Sequence, residues 1–406
     1  MKIMQINSFY NAGSTGKIVF DIHKCLLSNG QDSVVCYGRG SCTEEQNVYK
    51  TCSELSAKIN RTYSRLTGLK YGGCFFTTNK LISIIKKEKP DIVHIHCING
   101  YFVNIYRIIS YLNNHNIKTV LTLHAEFMYT ANCGYSLECD KWKTGCGNCP
   151  RLKQEIHSFF IDNTSLSWKK MKQAFEGFEN LRVVSVSPWL QKRAQISPIL
   201  KNKKHSTILN GIDTSIFKLN SNKELKSRLG LNNKKIVFHI TSNFNDEKNH
   251  IKGGFYVLEI AKRFLETNPD VVFLVAGKYQ EIKNLPSNVI LLGNVEDQNK
   301  LSEYYSMADV TLLSSKKETF SMVVAESICC GTPVVGFEAG APELITIPEF
   351  SDFVEQGDVD ALTEALKKWL FDVEVDKAQV SDCGNKKYRK EIMGQNYLNL
   401  YNELMR

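Results

Sequence analysis

Short apolar runs recur along the chain, separated by stretches whose apolar residues repeat at helical spacing. In the first half the runs fall at 2–7, 33–37, 91–96, 118–123 and 181–186, and in the second at 235–241, 271–276, 289–292, 310–313 and 334–337. Runs this short and this continuously apolar are strands buried on both faces. Amphipathic stretches such as 17–27 and 81–87 lie between them, as parallel βαβ units require. The pattern predicts an α/β chain of two Rossmann-like, doubly wound domains, and 406 residues exceed the size at which one core usually stops growing. The expected division is 1–198, 199–384 and a tail 385–406, with the connection in the Lys- and Asn-rich stretch 197–206. The tail is helical in pattern from 386 to 405 and too short for a domain, so it is expected to pack back towards the N-terminal domain.

Residues 310–343, VTLLSSKKETFSMVVAESICCGTPVVGFEAGAPE, read as strand, polar loop, a short helix from Phe320 to about Cys330, and a second strand. Ser321 is the expected helix cap, Gly331 suits a left-handed residue after the helix end, and Pro333 cannot continue it. A helix opening beyond the carboxyl edge of a strand offers free N–H groups and partial positive charge to an anion. Glu318 lies just before that helix and Glu326 about two turns along it. An anion flanked by two carboxylates suits a ligand with phosphate in its middle and hydroxyls at both ends, the shape of a sugar nucleotide.

Other strand ends carry further candidates. The loop 11–17, NAGSTGK, lacks the spacing of a Walker motif, since Asn11 and Ile18 stand where Gly and Ser or Thr are needed. It remains a glycine-bearing turn that opens a helix. His94 and His96 alternate onto one face of a strand and read as hydrogen-bonded core residues. His124 instead ends a strand, where an open sheet offers its carboxyl edge to ligands, and can shuttle a proton or hold a hydroxyl. Lys252 precedes Gly253 at the start of a helix, where an ammonium can meet a diphosphate. Asp358 and Asp360 mimic a metal-binding D-x-D but read as the cap of a helix beginning near Ala361.

Charge and cysteine content change the picture in two places. The net charge of +9 is uneven: residues 1–200 hold 25 Lys and Arg against 14 Asp and Glu, and residues 201–406 hold 26 against 28. An anionic partner for the first half, or simply a solvated basic face, follows. Residues 57–70 place Lys58, Arg61, Arg65 and Lys70 among Leu, Ile and Tyr, as in a helix lying on an anionic bilayer or one merely covering the sheet. There is no apolar run of membrane-spanning length and no signal-peptide pattern, so a cytoplasmic location is expected. Thirteen scattered cysteines do not form a secreted disulfide framework. Four of them, Cys133, Cys139, Cys146 and Cys149, close a segment ending in C-x-x-C and read as a structural zinc site, a redox pair or packed thiols.

Taken together, these motifs resemble the retaining glycosyltransferases of family four, which have the GT-B fold of two Rossmann-like domains facing a cleft. The resemblance rests on the E-x7-E pair of Glu318 and Glu326, the run AESICCGTPVVGFEAGAPELI, NGID before Phe217, Lys252-Gly253, and SMADV before a strand. The N-terminal half is similar to a narrower subgroup that assembles bacterial surface polysaccharides of the O-antigen, capsule and colanic acid type, through HIHCINGYFVN, LTLH and the cysteine segment. The resemblance implies that Glu318 contacts the transferred sugar and that the backbone at Phe320 and Ser321 holds the diphosphate. Glu326 would bind the ribose hydroxyls, Lys252 would neutralise the leaving diphosphate, Gly16 would let the first loop approach it, and His124 would sit beside sugar and acceptor. The family's Gly-Phe-Gly is Thr319-Phe320-Ser321 here, and Ala125 with Glu126 follows the strand-end histidine.

The expectation is a metal-independent hexosyltransferase needing no cofactor for catalysis. Its donor would be a nucleotide diphosphate sugar, UDP-linked, and its acceptor a polyprenyl-diphosphate-linked glycan at the inner membrane surface, with no nucleic acid. The N-terminal domain would bind the acceptor and the C-terminal domain the donor. A sugar-nucleotide epimerase of the same fold, or a zinc-stabilised nucleic-acid-binding protein, are the alternatives.

Overall fold

A computed structural model describes residues 1–406 apart from Asn222 and the side chain of Lys223. It divides into two compact units, Met1–Leu209 with Met393–Arg406, and Asn210–Ile392.

The first unit is built on seven parallel strands: β1 (Lys2–Asn7), β2 (Asp32–Tyr37), β3 (Val48–Lys50), β4 (Ile92–Ile95), β5 (Lys118–Leu123), β6 (Leu181–Ser185) and β7 (Lys204–Thr207). Their order is β3-β2-β1-β4-β5-β6-β7. The second unit has six: β8 (Lys235–Phe244), β9 (Val271–Tyr279), β10 (Val289–Gly293), β11 (Val310–Leu313), β12 (Val334–Phe337) and β13 (Ser351–Val354), in the order β10-β9-β8-β11-β12-β13. These are again all parallel. Both sheets reverse direction beside their first strand, between β1 and β4 and between β8 and β11. In open α/β sheets that reversal opens a crevice at the carboxyl ends.

The ten apolar runs of the sequence are all strands. Three others, β3, β7 and β13, carry no such run, and each is the edge of its sheet with a single strand neighbour. Because Lys204–Thr207 pairs with β6, the stretch expected to join the domains belongs partly to the first unit, and the division falls at Leu209 rather than 198.

The tail is two helices, Lys377–Tyr388 and Lys390–Met405, separated at Arg389. Only the second contributes to the first unit, from Met393 onward. There Met393, Tyr397, Tyr401 and Leu404 join Ile3, Ile18, Ile92 and Val120 in one core cluster. Gly394 lets the helix approach closely here, since a Cβ would lie 2.4 Å from Cys25 Sγ. Among the described residues no helix is long and apolar enough to cross a membrane.

Candidate active site

The charged candidates of the second unit gather at its sheet reversal. Beyond β8 the chain reaches Gly253, at φ +68°, and enters the helix Gly254–Thr267. A Cβ at Gly253 would fall 2.0 Å from the Ser314 carbonyl oxygen, so only glycine lets this loop lie on the segment after β11. The two backbones are clasped: Lys316 N–H donates to Ile251 O at 2.8 Å, and Ser314 Oγ donates to Lys252 O at 3.3 Å. The clasp sets Lys252 Nζ 2.7 Å from Glu318 Oε1. Glu318 is 13 % exposed and Lys252 29 %, so the pair is shielded yet open to a ligand.

The loop after β12 completes the arrangement. Glu318 N–H donates to Ala339 O at 2.9 Å, while Glu343 accepts from the N–H groups of Ala339 at 3.1 Å and Gly340 at 2.8 Å. Sequence reading placed Glu343 only inside a motif. Here it buttresses the Ala339–Gly340 turn on which the Glu318 backbone rests.

The helix that follows is Met322–Cys329, shorter at its start than expected. Ser321 sits at φ +84° and ψ 92°, which ends the helix there, and its hydroxyl does not cap the first turn. The expected side-chain cap is therefore absent; Ser321 Oγ is buried and without a hydrogen-bond partner. The free N–H groups of the first turn remain for a ligand. With the helix beginning at Met322, Glu326 lies about one turn in rather than two. Its Oε2 accepts from Tyr305 OH at 3.0 Å, a partner that the linear sequence does not reveal. Burial pushes that phenol well above its ordinary range, so it remains a donor.

In the first unit the strand-end histidine belongs to a chain of buried groups. Gln5 Nε2 donates to Val19 O at 3.2 Å, turning Gln5 Oε1 towards His96 Nε2 at 3.1 Å. His96 Nδ1 lies 3.2 Å from His124 Nε2. His94 meets Thr122 Oγ1 at 2.7 Å and Tyr401 OH at 2.6 Å, and is the hydrogen-bonded core residue expected. Burial drives His94 and His96 well below the ordinary imidazole range and His124 down to about 4, so all three are neutral near pH 7.

Gly16 lies in the first turn of the helix Gly13–Ser28, where a Cβ would come 3.3 Å from the Phe9 carbonyl group. Glycine here lets the loop pack closely on its own helix. Glu126, next but one to His124, is turned inward: its carboxylate takes Arg193 Nε at 2.9 Å and the Ser136 N–H.

The four cysteines are brought together on the wall of one narrow pocket, with Trp142 and Thr130. All are free thiols, and among the described residues no three His, Cys, Asp or Glu side chains are grouped so as to hold a metal ion. Asp358 caps its helix as expected, accepting from Ala361 N–H at 2.9 Å.

Two family models match the chain almost end to end: Glycosyltransferase Family 4 over residues 15–216, and Glycosyl transferases group 1 over residues 221–386. The chain is 22 % identical to a putative colanic acid biosynthesis glycosyl transferase, WcaC, of Escherichia coli K12, over the whole of both proteins. It is 29 % identical to an E. coli UDP-Gal:alpha-D-GlcNAc-diphosphoundecaprenol alpha-1,3-galactosyltransferase, over 45 % of this chain and 49 % of that one. Among solved structures, Anabaena Alr3699/HepE in complex with UDP-glucose superposes with a TM-score of 0.66 at 13 % identity, covering 99 % of this chain and 100 % of that one. With two reversed parallel sheets and both halves matched, the chain belongs to the GT-B glycosyltransferases, joining a family 4 N-terminal part to a group 1 C-terminal part.

Proposed function

We propose that this enzyme moves a hexose from a UDP-linked sugar to a hydroxyl of a polyprenyl-diphosphate-linked oligosaccharide, with retention of anomeric configuration, in the assembly of a bacterial surface polysaccharide. The observation that carries the reading is the Lys252–Glu318 pair, on a loop leading into a helix whose first N–H groups and buried Ser321 hydroxyl have no protein acceptor or donor committed to them. A diphosphate bound there would draw the Lys252 ammonium, leaving Glu318 to the hydroxyls of the transferred sugar. Glu326, steadied by Tyr305, would accept from the ribose hydroxyls.

In the reaction the bond between the anomeric carbon and the leaving phosphate oxygen breaks, and the bond to the acceptor oxygen forms on the same face of the sugar. The acceptor proton passes to the departing phosphate. Lys252 and the helix N–H groups oppose the charge that builds on the diphosphate, which is where such a site contributes most. His124 is neutral and so can accept a hydrogen bond from a sugar or acceptor hydroxyl. Two similar proteins support the substrate classes: the E. coli galactosyltransferase acts on a diphosphoundecaprenol-linked sugar, and the structurally similar Alr3699/HepE is complexed with UDP-glucose. Work at the inner face of the cytoplasmic membrane follows from such an acceptor.

Within the same reading, Cys133, Cys139, Cys146 and Cys149 are the residues that would hold a structural zinc ion, as thiolate ligands. One equivalent of zinc in protein purified under reducing, chelator-free conditions supports it; zinc-free protein of unchanged thermal stability removes it. For the function, purified enzyme is offered a panel of nucleotide sugars with extracted lipid-linked glycans. Sugar-dependent lengthening of the lipid-linked glycan is expected. Conversion of a nucleotide sugar to its isomer without any acceptor would make the enzyme an epimerase.

A further inference from the structure

Half of the twenty exposed large apolar side chains among the described residues lie in two segments of the first unit, 55–76 and 159–166. The helix Glu54–Thr67 turns Leu55, Ile59 and Leu66 outward at 69, 61 and 60 % exposure. Phe76, at the start of the helix Phe75–Glu88, is 90 % exposed, and Phe160 is 93 % exposed. Such burial-seeking side chains, standing in water, need a partner.

Backbone contacts hold these segments in one neighbourhood. Phe159 N–H donates to Arg65 O at 3.3 Å, and Asn163 Nδ2 donates to Thr67 O at 2.7 Å, which lays the Phe159-Phe160 loop along the end of the helix. Cys74 N–H donates to Asn60 Oδ1 at 3.0 Å, bringing the Phe75-Phe76 corner against its middle.

The charges left unengaged around this patch are basic: Asp162, the acid of the 159–166 segment, already accepts from the Cys149 and Thr164 N–H groups. Lys58 and Arg61 are exposed, and Arg65 lies over the Phe159 ring at 4.5 Å. The helix's single acid, Glu54, is bound by Arg39. Lys70 is excluded from the face, since its ammonium donates to the carbonyls of Asn132 and Glu155. A second copy of the chain seated symmetrically on this face would set arginine against arginine, whereas an anionic surface meets the cations and offers apolar depth for the aromatic tips.

We propose that this face docks on an anionic phospholipid bilayer, with Phe76 and Phe160 inserted below the headgroups and Lys58 and Arg61 against their phosphates. The inference rests on the proposed function only for its purpose, since a lipid-linked acceptor would be met at such a surface. In co-sedimentation with vesicles of phosphatidylcholine, alone or mixed with phosphatidylglycerol, the enzyme binds the mixed vesicles and releases as salt rises. Phe76→Ser with Phe160→Ser lowers that partitioning at least about tenfold. Lys58→Glu with Arg61→Glu abolishes the preference for phosphatidylglycerol. Both double variants keep wild-type thermal stability, UDP affinity and transfer to a detergent-solubilised acceptor. Wild-type protein that ignores both vesicles, or variants that bind as well as wild type, overturns the proposal. So does a concentration-dependent dimer that the phenylalanine changes abolish. Loss of transfer in detergent by wild-type enzyme would count against the proposed function instead.

Discussion

The Lys252 ammonium and the Glu318 carboxylate, 66 residues apart in sequence, are held 2.7 Å apart because Gly253 lets two loops touch backbone to backbone. In the proposed reaction this contact is a poised pair: a bound diphosphate would compete for the cation and release the anion. Glu318→Gln is expected to lower turnover by at least about a hundredfold with UDP affinity nearly unchanged, since in the proposed reaction the carboxylate serves the sugar. Lys252→Met should weaken UDP binding as well as turnover. Steady-state kinetics and calorimetry on the two variants separate these effects. Equal losses of UDP affinity in both would place Glu318 on the diphosphate instead.

Ser321 stands at φ +84° with a buried, unpartnered hydroxyl, in a conformation that glycine adopts freely. Ser321→Gly is expected to raise stability by about 1 kcal/mol, read as a higher urea midpoint at unchanged m-value. Lowered stability would show that the serine makes a compensating contact.

Tyr305 donates to Glu326 at 3.0 Å and is itself fully buried. Tyr305→Phe leaves packing intact and removes that donor from the carboxylate. UDP affinity should fall about tenfold or more, since a hydrogen bond to a charged group is worth roughly 1.5–3 kcal/mol. An unchanged affinity would remove Glu326 from the ribose.

The buried histidines set a pH dependence of stability. His94, His96, His124 and His239 all have folded-state pKa values lowered by burial, the last two to about 4. Unfolded histidine binds a proton near pH 6.5, so between there and about pH 4 the unfolded chain binds more protons than the folded one. Stability is therefore full above about 6.5 and falls as pH drops towards 4, on the order of 1 kcal/mol per pH unit per histidine. Lowered carboxylates such as Glu54, held at about 2 by Arg39, act in the same direction. Urea midpoints between pH 7 and pH 4.5 check this, and His239→Gln should flatten the slope. A slope unchanged by that substitution would mean His239 titrates normally.

Central strands were legible in the sequence because burial on both faces leaves a continuous apolar run. The edge strands β3, β7 and β13 were not, since KHST in β7 carries no apolar residue and is held by backbone pairing to one neighbour. Glu318, Lys252 and Glu326 stood out as charges at strand ends, yet the Tyr305 partner depends on tertiary packing alone. The helix expected from Phe320 starts two residues later at Met322, because the positive φ of Ser321 is a property of the fold rather than of serine. Lys70 belonged by spacing to the basic helix face, but Gly68 ends that helix at φ +67° and turns the lysine inward to backbone carbonyls.

The central claim is retaining transfer from the site around Glu318 and Lys252 to a lipid-linked glycan. Proton NMR of the reaction as it proceeds, with a UDP-hexose donor and a lipid-linked oligosaccharide acceptor, follows the anomeric signal of the new linkage directly. The result expected is a product with the donor's own α or β configuration, formed with one UDP per linkage and absent with Glu318→Gln. A product of opposite configuration, or an isomerised UDP-sugar accumulating while the acceptor stays intact, would contradict it.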